Sequence, residues 1–84
     1  MKFDLYIPHR VQKIFDSLPS KFQQKILDSL EEIQKNPFQG KSLMGDFAGK
    51  YSFRCWPYRI IYSVHKKELI IEVLYIAHRQ GAYK

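Results

Sequence analysis

The last two-fifths of the sequence restricts the fold most, because three strand-like stretches follow one another there with very short connections. Residues 50–55, 58–64 and 68–76 carry the strand patterns, and Trp56-Pro57 and then three polar residues from His65 separate them. Strands joined by such short turns must pair antiparallel, since a parallel pair needs a crossover of a dozen residues or more. The third stretch is apolar at nearly every position, which predicts a strand in the interior of the sheet.

Two amphipathic helix patterns precede these strands. The first ends at Leu18, because Pro19 disfavours helix at the residue before it. The second begins at Ser20, which together with Gln23 matches a capping box, and it stops at Asn36-Pro37. Apolar residues recur at helical spacing in both segments: Val11, Ile14, Phe15, Leu18, Phe22, Ile26, Leu27, Leu30 and Ile33.

The remaining segments complete the order of elements. Residues 2–7 alternate polar and apolar side chains, which predicts an N-terminal strand. Residues 37–49 contain a proline and three glycines and are predicted to form a loop. The order is therefore β-α-α-β-β-β, an α+β fold in which an N-terminal helical hairpin packs on a small antiparallel sheet, with residues 1–84 as one domain. The hairpin would cover one face of the sheet and leave the other for chemistry or binding.

The net charge of +6 is concentrated in the second part of the chain. Residues 49–84 hold seven basic and two acidic side chains, whereas residues 1–48 hold seven basic and six acidic ones. A basic surface of this kind suits a polyanion: nucleic acid, an acidic protein segment or an anionic membrane. The simpler alternative is a surface charge that only keeps the protein soluble.

Several function classes lack their sequence signals. No apolar run approaches the ~20 residues that span a bilayer, and the first residues do not form a signal peptide. Cys55 is the only cysteine, which excludes an internal disulfide and predicts the reducing cytosol. There is no glycine-rich phosphate loop, the three histidines are far apart, and no carboxylate pair stands out in the basic part. We therefore expect no metal, no small-molecule cofactor and no membrane partner.

Arginines on the predicted sheet and beyond its last strand are the strongest candidates for chemistry. Arg54 and Arg59 belong to neighbouring strands, which lie about 4.8 Å apart, and Arg79 follows the last strand, with Tyr83 four residues later. The planar guanidinium binds phosphate oxygens through paired hydrogen bonds and keeps its charge. Aromatic side chains nearby can stack on bases. These residues predict a site for one sugar–phosphate link of a nucleic acid.

Two segments resemble the RelE/ParE toxin superfamily. Residues 51–62, Tyr-Ser-Phe-Arg-Cys-Trp-Pro-Tyr-Arg-Ile-Ile-Tyr, are similar to its central signature, and residues 76–83 are similar to its closing His-Arg-x-x-x-Tyr. The resemblance covers essentially the whole chain and implies the toxin of a type II toxin–antitoxin system. RelE-like members cleave mRNA in the ribosomal A site without a metal: the 2′-hydroxyl attacks the adjacent phosphate and leaves a 2′,3′-cyclic phosphate and a 5′-hydroxyl. The implied protein partner is an acidic antitoxin encoded by a neighbouring gene.

The resemblance also assigns roles to individual residues. Arg54 and Arg59 would contact the scissile phosphate, whereas Arg79 would stabilise the transition state and the leaving group. Tyr83 would orient a base, and His78 completes the set of expected catalytic residues. The residues expected to contact RNA around this set are Lys50, Ser52, Trp56 and Lys84.

The general base is open, because the sequence departs from the family at two points. Ser52 stands where some members carry lysine, and residues 81–82, Gly-Ala, hold no acid–base group. His78 has a suitable ordinary pKa, whereas the pKa of Lys50 would need to be lowered. His78 is also expected to position the tail or to contact phosphate. ParE-like members share the fold but poison DNA gyrase without cutting RNA, and an inactive relative that only binds antitoxin is a third alternative.

Structural roles are the competing interpretation of the same side chains. Arg54 and Arg59 would then pair with Glu68 or Glu72 across the sheet, and such exposed ion pairs contribute at most ~1 kcal/mol. Trp56 would be either packed or facing a partner. The two interpretations differ in whether the arginines are free to bind an anion.

Overall fold

In the part of the chain that the structure describes, two helices and five strands follow the predicted order, with one short strand added. The computed structural model describes residues 2–43, 45 and 49–78. The elements are β1 (Asp4–Tyr6), α1 (His9–Asp16), α2 (Ser20–Lys35), β2 (Lys41–Ser42), β3 (Lys50–Cys55), β4 (Tyr58–His65) and β5 (Ile70–His78). Strand β2 is the addition, because it lies within the segment predicted as loop. Within the described part of the chain, no helix is long and apolar enough to cross a membrane.

The strands form one sheet in the order β1-β5-β4-β3-β2. The meander of β3, β4 and β5 is antiparallel, as predicted, and β2 pairs antiparallel with β3. Strand β5 has a paired neighbour on each side, which confirms its interior position. The prediction of an antiparallel sheet is wrong at β1, because this strand pairs parallel with β5. The two intervening helices give the chain the length that a parallel connection requires.

The two helices bury their apolar stripes against one face of the sheet. The buried cluster contains Val11, Ile26, Leu30 and Ile33 from the helices and Cys55, Ile60, Tyr62, Ile71, Val73 and Ile76 from the strands. Because side chains alternate along a strand, the residues between them point to the opposite face. We call that side the open face, since no described helix packs on it; Ser52, Arg54, Arg59 and Ile61 are its central residues.

The tight turn between the helices is closed by a contact that differs from the predicted capping box. Pro19 takes the N-cap position of α2, Ser20 is the first helical residue, and no side-chain cap forms. Gln23 instead donates its Nε2 hydrogens to the carbonyl oxygens of Phe15 (3.0 Å) and Asp16 (3.4 Å). Carbonyls at a helix C-terminus otherwise lack partners, so Gln23 ties the end of α1 to the start of α2.

A β-bulge in β5 changes which side chains face the helices near the end of that strand. Ile61 of β4 pairs with Tyr75, whereas the next residue, Tyr62, pairs with Val73, which leaves Leu74 as an extra residue. One extra residue shifts the alternation by one position. Residues after the bulge therefore exchange faces relative to an unbroken strand.

Candidate functional site

Arg54 and Arg59 lie directly opposite each other in the β3–β4 hairpin. The two-residue turn formed by Trp56 and Pro57 sets this register, because Cys55 and Tyr58 pair immediately inside the turn. Opposite residues of an antiparallel pair share a face, with Cβ atoms about 4.5–5.5 Å apart, and like charges in this position are destabilising. The hairpin therefore concentrates two positive charges that an anion would stabilise.

Neither guanidinium forms an ion pair or a hydrogen bond with another residue of the described ranges. Of the two acids that the structural interpretation offered as partners, Glu72 binds His65, with its Oε1 3.1 Å from Nε2, and Glu68 pairs with neither arginine. The competing interpretation of Arg54 and Arg59 as cross-sheet ion-pair partners is thus not what the structure shows.

The two arginines line an open concavity of about 330 Å³ together with Lys41 and Ser52. We call these four residues and the space between them the basic concavity. None of the described residues in its lining is a carboxylate. Ser52 is only 3% exposed, and its Oγ has no hydrogen-bond partner among the residues that the structure describes. A concave surface with three cations and an unpaired hydroxyl is suited to an anion with several oxygen atoms.

The β2 side of the basic concavity is positioned by a buried tyrosine. Tyr62 is fully buried and donates its hydroxyl to the carbonyl oxygen of Pro37 at 2.7 Å. Burial raises the pKa of Tyr62 to about 12, so the hydroxyl keeps the proton that it donates. Gly40 packs against the same ring, where a Cβ atom would lie 2.6 Å from the tyrosine oxygen and 3.1 Å from the carbonyl oxygen of Ser52. Only glycine permits this close approach, which brings Lys41 beside β3.

The other predicted residues lie in different places. Lys50 pairs with Ser63 and is half-buried on the open face, and Trp56 is 56% exposed at the turn next to the arginines. The predictions for Arg79, Tyr83 and Lys84 lie outside the described residues.

The structure does not bring His78 to the arginine pair. His78 pairs with Tyr58, and the two rings meet edge to face with centroids 5.4 Å apart. Tyr58 in turn contacts Phe22 of α2, also at 5.4 Å, which puts this pair on the helix-covered face. The neighbouring pair, Arg59 and Ala77, is on the open face. The bulge at Leu74 is the reason, because an unbroken alternation from Glu72 would have placed His78 on the open face.

Two features of the open face were not predicted from the sequence. Lys41 was assigned to a loop, because a strand of only two residues, Lys41–Ser42, is too short to show an alternating pattern. The second feature is a cluster in which His65 Nε2 lies 3.2 Å from Ser63 Oγ and 3.1 Å from Glu72 Oε1. A catalytic triad uses one ring nitrogen for the serine and the other for the acid. This cluster uses the same nitrogen for both, so it does not activate the serine.

The described residues contain no group of three or more histidine, cysteine, aspartate or glutamate side chains that could hold a metal ion.

Sequence comparisons match nearly the whole chain to toxins of type II toxin–antitoxin systems. The family model for the ParE toxin of the type II toxin–antitoxin system parDE matches residues 9–83. A curated protein provisionally named toxin RelE1, from Methanocaldococcus jannaschii, is 34% identical over an alignment of 89 residues that covers 100% of this chain and 98% of that protein.

Solved structures share the fold. The archaeal RelE–RelB complex from Pyrococcus horikoshii contains a chain that is 27% identical, with a TM-score of 0.78, and the match covers 98% of this chain and 100% of that one. A chain of the toxin–antitoxin complex RelBE2 from Mycobacterium tuberculosis is 20% identical, with a TM-score of 0.85 and coverage of 94% and 100%. The predicted α+β fold of two helices on a small sheet is confirmed.

Proposed function

Because the chain belongs to the RelE/ParE superfamily of toxins from type II toxin–antitoxin systems, we propose that it is an endoribonuclease that cleaves mRNA at the ribosome. The observation that carries the proposal is the Arg54–Arg59 pair, two guanidinium groups that lie opposite each other and form no ion pair with a described residue. Among the described residues that line the concavity there is no carboxylate to compete with a phosphate for these cations.

The proposed reaction is transesterification at phosphorus. The 2′-hydroxyl oxygen forms a bond to the adjacent phosphorus and loses its proton, while the bond from phosphorus to the 5′ oxygen breaks and that oxygen gains a proton. The products are a 2′,3′-cyclic phosphate and a 5′-hydroxyl. Negative charge on the phosphate oxygens increases in the transition state, where Arg54 and Arg59 stabilise it. Preorganised donors of this kind contribute roughly 3–4 kcal/mol each.

The remaining predicted residues keep proposed roles, and for Lys50 and His78 these roles follow from their positions in the sheet. Lys50 lies four residues from Arg54 along β3, about 13 Å, so it contacts RNA beyond the scissile phosphate and does not reach the attacking hydroxyl. His78 supports the end of β5 through its contact with Tyr58, which makes it a positioning residue. Neither of them supplies the general base. Roles in RNA binding, leaving-group stabilisation and base orientation are proposed for Ser52, Trp56, Lys84, Arg79 and Tyr83.

We further propose an acidic antitoxin as the protein partner, encoded by a neighbouring gene and acting with the toxin in the cytoplasm. The 27% identical chain from Pyrococcus horikoshii forms a RelE–RelB complex, which supports a partner of this type. Carboxylates of the antitoxin would occupy the basic concavity in place of phosphate. Affinity for either ligand should fall as salt increases, because both neutralise the same cations.

Primer extension on translated mRNA after induction tests the proposal. We expect discrete breaks in translated regions that carry 2′,3′-cyclic phosphate and 5′-hydroxyl ends. The matched control is the Arg54→Gln/Arg59→Gln double variant, which keeps the side-chain length and should leave the mRNA intact. Intact mRNA in cells that express the wild-type chain would refute the nuclease assignment.

The family model that matches the chain is described as a ParE toxin, and this favours a second candidate. In that case the basic concavity docks DNA gyrase, and no RNA is cut. Induction would then produce an SOS response to DNA damage while translated mRNA stays whole. Both responses can be measured in the same culture, so one experiment separates the two candidates.

A further inference from the structure

We propose that Lys41 and Ser52 form a second phosphate subsite beside the Arg54–Arg59 pair, so that the basic concavity binds two successive phosphates of one RNA strand. This inference rests on the proposed function, because it describes how far along the RNA the same site extends. It adds Lys41, on the short edge strand β2, to the residues that recognise the substrate.

The sheet register places the two subsites side by side. Lys41 pairs with Ser52 across β2 and β3, just as Arg54 pairs with Arg59 across β3 and β4. Ser52 and Arg54 share a face and are two residues apart on β3, a separation of about 7 Å. Successive phosphates of a single strand are separated by a similar distance. An RNA strand that runs along β3 would therefore present one phosphate to each pair.

The chemistry of the Lys41–Ser52 pair fits a phosphate. The Lys41 ammonium forms no ion pair with another residue of the described chain, and lysine binds phosphate as a point charge. Ser52 is buried, and its Oγ has no hydrogen-bond partner in the described part of the chain, which is ordinarily unfavourable. A phosphate oxygen in the concavity would accept the hydrogen bond that this hydroxyl lacks.

Lys41 is held in place by contacts on both sides of β2. Gln39 donates its Nε2 to the carbonyl oxygen of Glu32 at 2.6 Å, and the amide of Leu43 donates to the carbonyl oxygen of Lys50 at 2.9 Å. These bonds fix the segment against α2 and β3. The position of Lys41 beside the concavity is therefore a property of the fold.

Two short ligands of different length test the second subsite directly. The probes are 2′-O-methyl RNA oligonucleotides, which cannot be cleaved by this reaction: a dinucleotide with one internal phosphate and a trinucleotide with two. Affinities are measured by NMR titration of the full chain. We expect Lys41→Gln to weaken the trinucleotide roughly tenfold without changing the affinity for the dinucleotide. In this variant, the slope of log affinity for the trinucleotide against log salt concentration should also be shallower by about 0.7.

Three further variants complete the test. Lys67→Gln, which removes the same charge from the exposed β4–β5 turn, should change neither affinity. Ser52→Ala should lower the affinity for the trinucleotide only, whereas Arg59→Gln should lower the affinity for both ligands. The second subsite is wrong if Lys41→Gln lowers the affinity for both ligands equally or for neither, while Arg59→Gln lowers the affinity for both. In that case the proposed function stands. If Arg59→Gln leaves both affinities unchanged, the phosphate site itself is wrong and the subsite falls with it.

Discussion

The two faces of the sheet are built for different purposes. The helix-covered face includes fully buried side chains such as Ile60 and Tyr62, which belong to one buried cluster with Ile33 of α2. The open face instead carries Arg54 opposite Arg59, an arrangement that costs stability in the free protein. A single sheet can thus separate the residues that hold the fold together from those for which we propose a role in binding, because side chains alternate between its faces. The facing arginines and the unpaired hydroxyl of Ser52 are each unfavourable on their own. Because they converge on one concavity, they are informative about function.

The largest expected effect comes from removing both arginines of the open face. The Arg54→Gln/Arg59→Gln double variant should lower the cleavage rate about 10³-fold or more, because it removes two preorganised donors. Its free energy of unfolding should be equal to the wild-type value or a few tenths of a kcal/mol higher, since two like charges no longer face each other. Urea unfolding and primer extension measure the two quantities. A clear loss of stability would show that the arginines serve the fold.

The matching change on the helix-covered face should have the opposite profile. Ile33→Ala removes a fully buried side chain, and such substitutions cost about 2–5 kcal/mol of unfolding free energy. Ile14→Ala, at a position that is 37% exposed on the neighbouring helix, is the control and should cost much less. Urea unfolding provides both values, and equal costs would contradict the described core.

The pH dependence of stability tests the buried tyrosine that supports β2. The pKa of Tyr62 is raised from 10.0 to about 12, so the folded state keeps a proton that the unfolded state loses. The stabilisation is complete below pH 10 and disappears as the pH rises toward 12. Tyr62→Phe should make the fall in stability over this range shallower. Tyr75→Phe, at an exposed position, should retain the wild-type slope; identical slopes in all three proteins would contradict the burial argument.

The smallest effect concerns the helical turn. Gln23→Ala should lower the free energy of unfolding by about 1 kcal/mol, because Gln23 supplies a hydrogen bond to the end of α1. Ser20→Ala should be nearly neutral, because no side-chain cap forms at α2. Thermal unfolding of the two variants distinguishes them. A larger cost for Ser20→Ala would restore the capping box that the sequence predicts.

Local patterns predicted most elements because neighbouring residues determine them. Strand β3 has the predicted bounds, and the two-residue turn at Trp56-Pro57 made it possible to place Arg54 and Arg59 on adjacent strands. The parallel pairing of β1 with β5 could not be predicted from the sequence, since nothing in a three-residue strand specifies its neighbour. Strand β2 was missed for a similar reason, and with it the position of Lys41.

The site was predicted less completely because face assignment depends on long-range register. The face of His78 depends on the single extra residue Leu74 in β5, and an apolar strand gives no sign of where such a bulge occurs. The absence of an ion pair between Glu72 and the arginines likewise depends on register, because Glu72 pairs with Ser63, which lies four residues, or about 13 Å, from Arg59 along β4. Both outcomes are decided by tertiary contacts that periodicity does not encode.

The central claim is that Arg54 and Arg59 act on the same phosphate, and a double-mutant cycle on the cleavage rate tests it most directly. Single-turnover rates on programmed ribosomes would be measured for the wild type, Arg54→Gln, Arg59→Gln and the double variant. Groups that act as a unit are non-additive. We therefore predict that the loss in the double variant is at least about fivefold smaller than the product of the two single losses. Losses that multiply to within about twofold would show that the two arginines act on separate groups and would contradict the account.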